Sequence, residues 1–159
     1  MIENSKDAPA SAEDQPMTDA LAQHHRGLEG AFDAIVAKAE EGDPLALRAA
    51  WTAFEAELVT HLDIEERDLL PLFERSDPGE GEALRAEHEA IRASLFELGL
   101  SLDLHQLQAT VAIDFVAGLR AHARREGERF YPWIERNLAP EVWHSLGHVL
   151  SLPRDASWN

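Results

Sequence analysis

Residues 61–74, HLDIEERDLLPLFE, and residues 122–135, HARREGERFYPWIE, are two copies of one pattern. Each begins with His and carries Glu four positions on, Pro ten on and Glu thirteen on: His61, Glu65, Pro71 and Glu74 against His122, Glu126, Pro132 and Glu135. Neither stretch alternates polar and apolar residues with the period of two that a strand needs. On a helix, residues four apart lie on one face about one turn apart. Each copy therefore offers an imidazole and a carboxylate to a single point.

Working outward, the repeat extends one helix upstream. Around His25 stand Leu21, Leu28, Phe32 and Ile35, and around His88 stand Leu84, Ile91, Leu95 and Leu98, at the same offsets of −4, +3, +7 and +10. Both histidines fall on a stripe with the 3.6-residue period of a buried helix face, and the alignment selects His25 over its neighbour His24. The chain reads as two similar helix pairs related by a pseudo-two-fold axis.

The helix boundaries follow from caps and breakers. Thr18 suits an N-cap, and the first helix closes near Glu41-Gly42. Asp43-Pro44 pairs a capping side chain with a proline at the first helical position and opens a second helix that runs to about Arg75. The segment SDPGEG, residues 76–81, reads as a turn. A third helix is expected over about Glu82 to Leu100 and a fourth over about His105 to Asn137, with a short fifth after Ala139-Pro140 through VWHSLGHVL. Pro71 and Pro132 are expected to kink or end their helices. The predicted class is all-α: an antiparallel up-down-up-down four-helix bundle over residues 18–137. It is flanked by a disordered lead-in over 1–17 and a short C-terminal helix and tail over 138–159.

Four imidazoles and two carboxylates on buried stripes are costly unless a cation pairs them. The set His25, His61, Glu65, His88, His122 and Glu126 suits iron, with manganese or zinc as alternatives, and its two-fold arrangement suits two metals bridged by the carboxylates. The competing interpretation is a metal-free bundle of satisfied core histidines. His24 lies about 100° round from His25 and belongs at the boundary or surface, unless it swings in as a fifth imidazole. Glu29 and Arg92 hold the same +4 position after the two repeat histidines and form either an ion pair across the pseudo-axis or solvated helix charges. Glu66 faces solvent or orients a neighbour. Tyr131, the only tyrosine, is a packing residue or a hydrogen-bonding group near the metals. His144 and His148 form a separate pair on the last helix, too few ligands for a site.

Composition narrows the function further. Thirty acids against fourteen Lys and Arg give a net charge of −16 in 159 residues, which opposes binding to nucleic acid or an anionic membrane. With no cysteine, thiol catalysis, Cys-ligated zinc and iron–sulfur clusters are excluded. The first residues lack the basic start and apolar run of a secretory signal, and no stretch has the roughly 18 apolar residues of a membrane span. A cytoplasmic protein is expected.

The ordered set His25, His61-x-x-x-Glu65, His88, His122-x-x-x-Glu126, with the proline-containing helix ends LLPLFE and FYPWIE, resembles the hemerythrin-like proteins called HHE cation-binding domains. The resemblance covers roughly residues 17 to 137. It implies a non-heme di-iron centre, oxo- or hydroxo-bridged, with Glu65 and Glu126 bridging and the four histidines as terminal ligands. It also implies a small diatomic or peroxide ligand, in sensing, oxidative-stress protection or iron handling. Peroxide consumption is the enzymatic variant. The oxygen-carrying hemerythrins differ in having a His-x-x-x-His pair on the third helix and His-x-x-x-x-Asp on the fourth. Here Leu84 and Arg92 flank His88, and Gly127 stands where the Asp would be. Six side chains plus one bridge fill about ten of twelve octahedral positions, leaving about two open. Open positions on a redox metal favour reaction or sensing over reversible carriage. The other classes to weigh are a structural zinc or manganese site and a helical interaction module whose protein partner the sequence does not name.

Overall fold

A computed structural model describes residues 17–106 and 109–139. All regular structure among them is helical: α1 Met17–Glu41, α2 Pro44–Ile64, α3 Leu70–Phe73, α4 Pro78–Asp103, α5 Ala109–Arg125 and α6 Tyr131–Asn137. Two π-turns, Glu65–Leu69 and Glu126–Phe130, join α2 to α3 and α5 to α6, so the segments make four rods. The expected lead-in before residue 17, and the C-terminal helix with His144 and His148, lie outside the described residues. No helix among the described residues is long and apolar enough to cross a membrane.

The helix ends follow local chemistry. Gly42 takes the left-handed conformation, φ 76°, that lets a chain leave an α-helix without steric cost. Asp43 then caps α2 by accepting from the amides of Leu45 and Ala46, both at 3.1 Å. Asp77-Pro78 repeats this device: Asp77 accepts from the Glu80 amide at 3.2 Å. The third rod thus starts at Pro78, not Glu82, and the last four residues of the expected SDPGEG turn are its first helical turn. Gly81 fits there because a Cβ would collide with the side chain of Glu74. The fourth rod was expected to begin at His105. That residue instead sits at φ 55° in the turn that closes α4, where the Gln106 amide donates to the Ser101 carbonyl at 2.8 Å. Asp43→Ala is expected to cost about 1 kcal/mol, since α2 would lose both cap acceptors; urea unfolding measures it.

Neither proline ends its rod. Immediately before Pro71 and Pro132, the amides of Leu70 and Tyr131 reach back five residues to the carbonyls of Glu65 and Glu126. The widened turn relieves the clash between a proline ring and the preceding turn that kinks a regular α-helix.

The buried residues form two apolar layers. The larger joins Leu28, Phe32 and Ile35 of α1 to Trp51, Phe54 and Leu58 of α2, Ile91, Leu95 and Leu98 of α4, and Phe115 and Val116 of α5. Phe32, Phe54 and Phe115 meet at its centre with ring centroids 5.1–6.2 Å apart. The smaller layer holds Leu69, Leu70, Phe73, Leu84, Phe130, Tyr131 and Ile134. His88 on α4 and His122 on α5 fall between the two layers, and His25 and His61 lie at the edge of the larger one. α1 packs on α2 and α5, and α4 packs on the same two. α1 and α4 are therefore diagonal partners.

Candidate metal centre

The six side chains converge. His61 and Glu65 come from the junction of α2 with its π-turn, His122 and Glu126 from the matching junction of α5, His25 from α1 and His88 from α4. His61, Glu65, His88 and Glu126 are 0% exposed and His122 2%. His25 is the most exposed of the six, its side chain 13% accessible. Buried ionisable groups at such density are tolerated only when paired with charge or bound to metal.

Their donor atoms fall into two groups. In the first, Glu65, His88, His122 and Glu126 offer one atom each within 4.8 Å of one another. In the second, His25, His61 and Glu126 do the same. Glu126 belongs to both: Oε1 lies 3.0 Å from His122 Nε2 and 3.6 Å from His88 Nε2, while Oε2 lies 3.2 Å from His25 Nε2. Glu65 divides its oxygens likewise, Oε2 3.5 Å from His88 Nε2 and Oε1 3.4 Å from His61 Nε2.

Glu65 Oε2, His88 Nε2, His122 Nε2 and Glu126 Oε1, the four inward atoms of the first group, are buried without a hydrogen-bond partner; the His122–Glu126 approach is an ion-pair contact lacking hydrogen-bond alignment. Four orphaned polar atoms facing one point carry a desolvation cost that a cation removes. Imidazole nitrogen and carboxylate oxygen are ligands that iron, manganese and zinc accept. The residues fit a metal.

The second group is satisfied differently. The Tyr131 hydroxyl sits among its donors, 2.8 Å from Glu65 Oε1, 2.6 Å from Glu126 Oε2 and 3.4 Å from His25 Nε2. His25 Nε2 and His61 Nε2 stand 3.0 Å apart. On a regular α-helix, Tyr131 would lie about 140° round from Glu126. The π-turn returns it to the same face, where it reaches its own rod's carboxylate.

Electrostatics set the metal-free protonation state. Burial, and then the charge of Glu126, push the Glu65 carboxyl well above its ordinary value. Burial would raise Glu126 too, but His122 foremost, with His25 and His88, holds it well below. His122 is raised in turn: burial opposes its charge, and Glu126 and Glu87 outweigh that. Burial, with His25 next, drives His61 well below its ordinary value. Burial and the two carboxylates raise Tyr131 well above 10, so its hydroxyl remains a donor. Without metal, the surroundings thus favour a neutral Glu65 carboxyl and an ion pair between Glu126 and His122.

Behind the first group stand two further carboxylates. Glu66 Oε1 lies 3.0 Å from His88 Nδ1, and Glu87 Oε2 lies 3.0 Å from His122 Nδ1. An ionised carboxylate only accepts, so each Nδ1 is the donor, and Nε2 is the nitrogen turned inward. Arg92 holds Glu66 at 3.3 Å and Asp63 at 2.8 Å. Arg125 holds Glu87 at 2.6 Å and Glu80 at 2.9 Å. Glu66 thus orients a neighbour, as one of its two sequence readings held. Glu87, one of thirty acids and outside the repeat, carried no signal. Of the two readings of Glu29 and Arg92, the ion pair across the pseudo-axis does not form: Glu29 pairs with Arg120, and Arg92 with Asp63 and Glu66.

His24 is tucked against His61, the rings stacked with centroids 4.9 Å apart, and both its nitrogens are buried without a hydrogen-bond partner. Burial, with the neighbouring His25, lowers it to about 4. Gly127 is exposed and lines a cavity of about 260 Å³ that runs between α1 and α5 to His25, His122 and Tyr131.

Searches of the curated proteins and of the solved structures return no match. The model of the hemerythrin HHE cation binding domain matches residues 17–134, a span that reaches into all four rods and takes in every one of the six converging side chains. The chain belongs to the hemerythrin HHE cation-binding domain family.

Proposed function

We propose that this protein holds two iron ions in a carboxylate-bridged, oxo- or hydroxo-bridged centre. Its terminal ligands are His25, His61, His88 and His122, its bridges are Glu65 and Glu126, and it binds oxygen, peroxide or nitric oxide there. The observation that carries the reading is the division of both carboxylates, one oxygen of each facing His88 and the other facing the His25–His61 pair. Bound iron would supply a redox couple and open coordination positions. The chain supplies the rest. The cavity beside Gly127 gives a small molecule a path to His25 and Tyr131, and the Tyr131 hydroxyl is a hydrogen-bond donor at the edge of the site. The two apolar layers exclude bulk water from above and below. The same reading takes the four rods as antiparallel up-down-up-down, which the tight α1–α2 connection at Gly42-Asp43 and the meeting of His25 with His61 across it support. The role is in sensing, oxidative-stress protection or iron handling.

The test is metal analysis of protein produced with iron, together with its absorbance before and after oxygen, peroxide and nitric oxide. About two irons per chain with the near-ultraviolet absorption of a bridged ferric pair, both lost in His122→Ala, are expected. Zinc or manganese in iron's place, with no spectral response to any of the three ligands, would overturn the redox reading and leave a structural metal site.

A further inference from the structure

The pseudo-two-fold axis that relates the six donors does not relate the groups behind them. The repeat offset that carries His61 to His122 carries Glu66 to Gly127, and the offset that carries His25 to His88 carries His24 to Glu87. The two carboxylates that receive the Nδ1 protons of His88 and His122 are thus replaced, on the other side, by a glycine and a histidine. The structure bears this out at His61. Where Glu87 accepts from His122, its counterpart His24 stacks on His61, and His61 Nδ1 is left buried without a partner.

The inward atoms differ in the same sense. Those of Glu65, His88, His122 and Glu126 in the first group are orphaned. Those facing His25 and His61 are already engaged by the Tyr131 hydroxyl and by each other. A cation entering the first group separates one ion pair, His122–Glu126, breaks no hydrogen bond and meets two imidazoles already oriented. One entering the second must displace Tyr131 from both carboxylates and separate His25 from His61.

We propose that the centre fills in a fixed order, first at His88 and His122 and then at His25 and His61, with Tyr131 holding the second position closed until the first is filled. The inference rests on the six-ligand reading above. It names Glu66 and Glu87 as positioning residues for the tight position, and His24, Gly127 and Tyr131 as the reasons the other is weaker.

The experiment is a titration of the metal-free full chain with Co²⁺, followed by calorimetry and by the visible absorption of cobalt. Two steps separated by at least about tenfold are expected, because partners that orient a metal-binding histidine are worth about 10- to 100-fold in affinity. Glu87→Gln should weaken the first step by about tenfold and leave the second within about threefold. Tyr131→Phe and His24→Glu should each tighten the second step, the former by removing the competing hydroxyl and the latter by giving His61 Nδ1 an acceptor. His25→Ala should retain one tightly held cobalt, and His88→Ala should not. Two indistinguishable steps in the parent protein, or equal loss from both steps in Glu87→Gln, would overturn the order while sparing the six-ligand reading. If Glu87→Gln does not fold, an unchanged second step in both Tyr131→Phe and His24→Glu overturns it equally. No cobalt uptake by the parent protein would remove the six-ligand reading itself, and the order with it.

Discussion

Glu126→Gln is expected to lower metal affinity by more than about a hundredfold, beyond the upper end of what residues that merely orient a ligand contribute. Glu126 is the one side chain present in both donor groups, so its loss reaches both positions at once. It should also cost the metal-free protein about 3 kcal/mol. Its carboxylate is the buried counter-charge of His122, and removing one member of a buried pair strands the other. Glu65→Gln makes the comparison. Burial and the charge of Glu126 favour the neutral form of Glu65 when no metal is present, so a neutral amide of the same shape should cost the metal-free protein clearly less than Glu126→Gln does while still removing a bridge. Metal content after dialysis and urea unfolding of the metal-free proteins give the two readings. Parental metal content in Glu126→Gln would contradict its place at the centre, and equal destabilisation by the two variants would contradict the assigned protonation state.

Metal loading should raise the thermal midpoint by about 8–16 °C. A ligand at a thousand times its dissociation constant stabilises the native state by about 4 kcal/mol, and a chain of this size gains about 2–4 °C per kcal/mol. The gain should grow with pH. Glu65 and His122 are both raised, so the folded, metal-free protein holds protons that the unfolded chain has released. Such groups contribute stability that is complete below their unfolded values and is lost as pH rises through the folded ones. Metal must displace those protons, and does so more readily as pH increases. Melting curves in chelator and in metal at pH 6, 7 and 8 check this. A difference that stays constant or narrows toward pH 8 would contradict it.

The four rods and the six converging side chains were legible because they obey periodicity. Apolar residues at 3.6-residue spacing marked the buried faces, and the duplicated His-x-x-x-Glu identified which buried polar residues belong together. That logic also separated His25 from His24. What escaped it has physical reasons. A π-turn and an α-turn are built from the same residue types, so only Pro71 and Pro132 hinted at the two widened turns. The Asp77-Pro78 cap was readable, being the same pair as Asp43-Pro44, but the glycines behind it suggested a turn. Glu29 and Arg92 are equivalent under the pseudo-axis, and equivalence is not proximity: α1 and α4 are diagonal, so each residue finds its partner on α5 or α2 instead. Glu87 answers to no repeat, because the repeat describes what the two metal positions share, and Glu87 belongs to what they do not.

The widened turns carry one more consequence, for the length of the chain. One extra residue per turn changes the phase of everything that follows by about 100°. Upstream of Glu65 the second rod buries Phe54, Leu58 and Leu62 in one phase, and beyond it Leu70 and Phe73 in another. The fourth rod changes phase in the same way between Val116 and Tyr131. Each of these rods is two helices sharing an axis and not a frame. Loss of a single residue between Glu126 and Tyr131 would leave all six donors in place and turn Tyr131 and Ile134 away from the interior. These two five-residue segments tolerate a change of side chain at their exposed positions far better than a change of length.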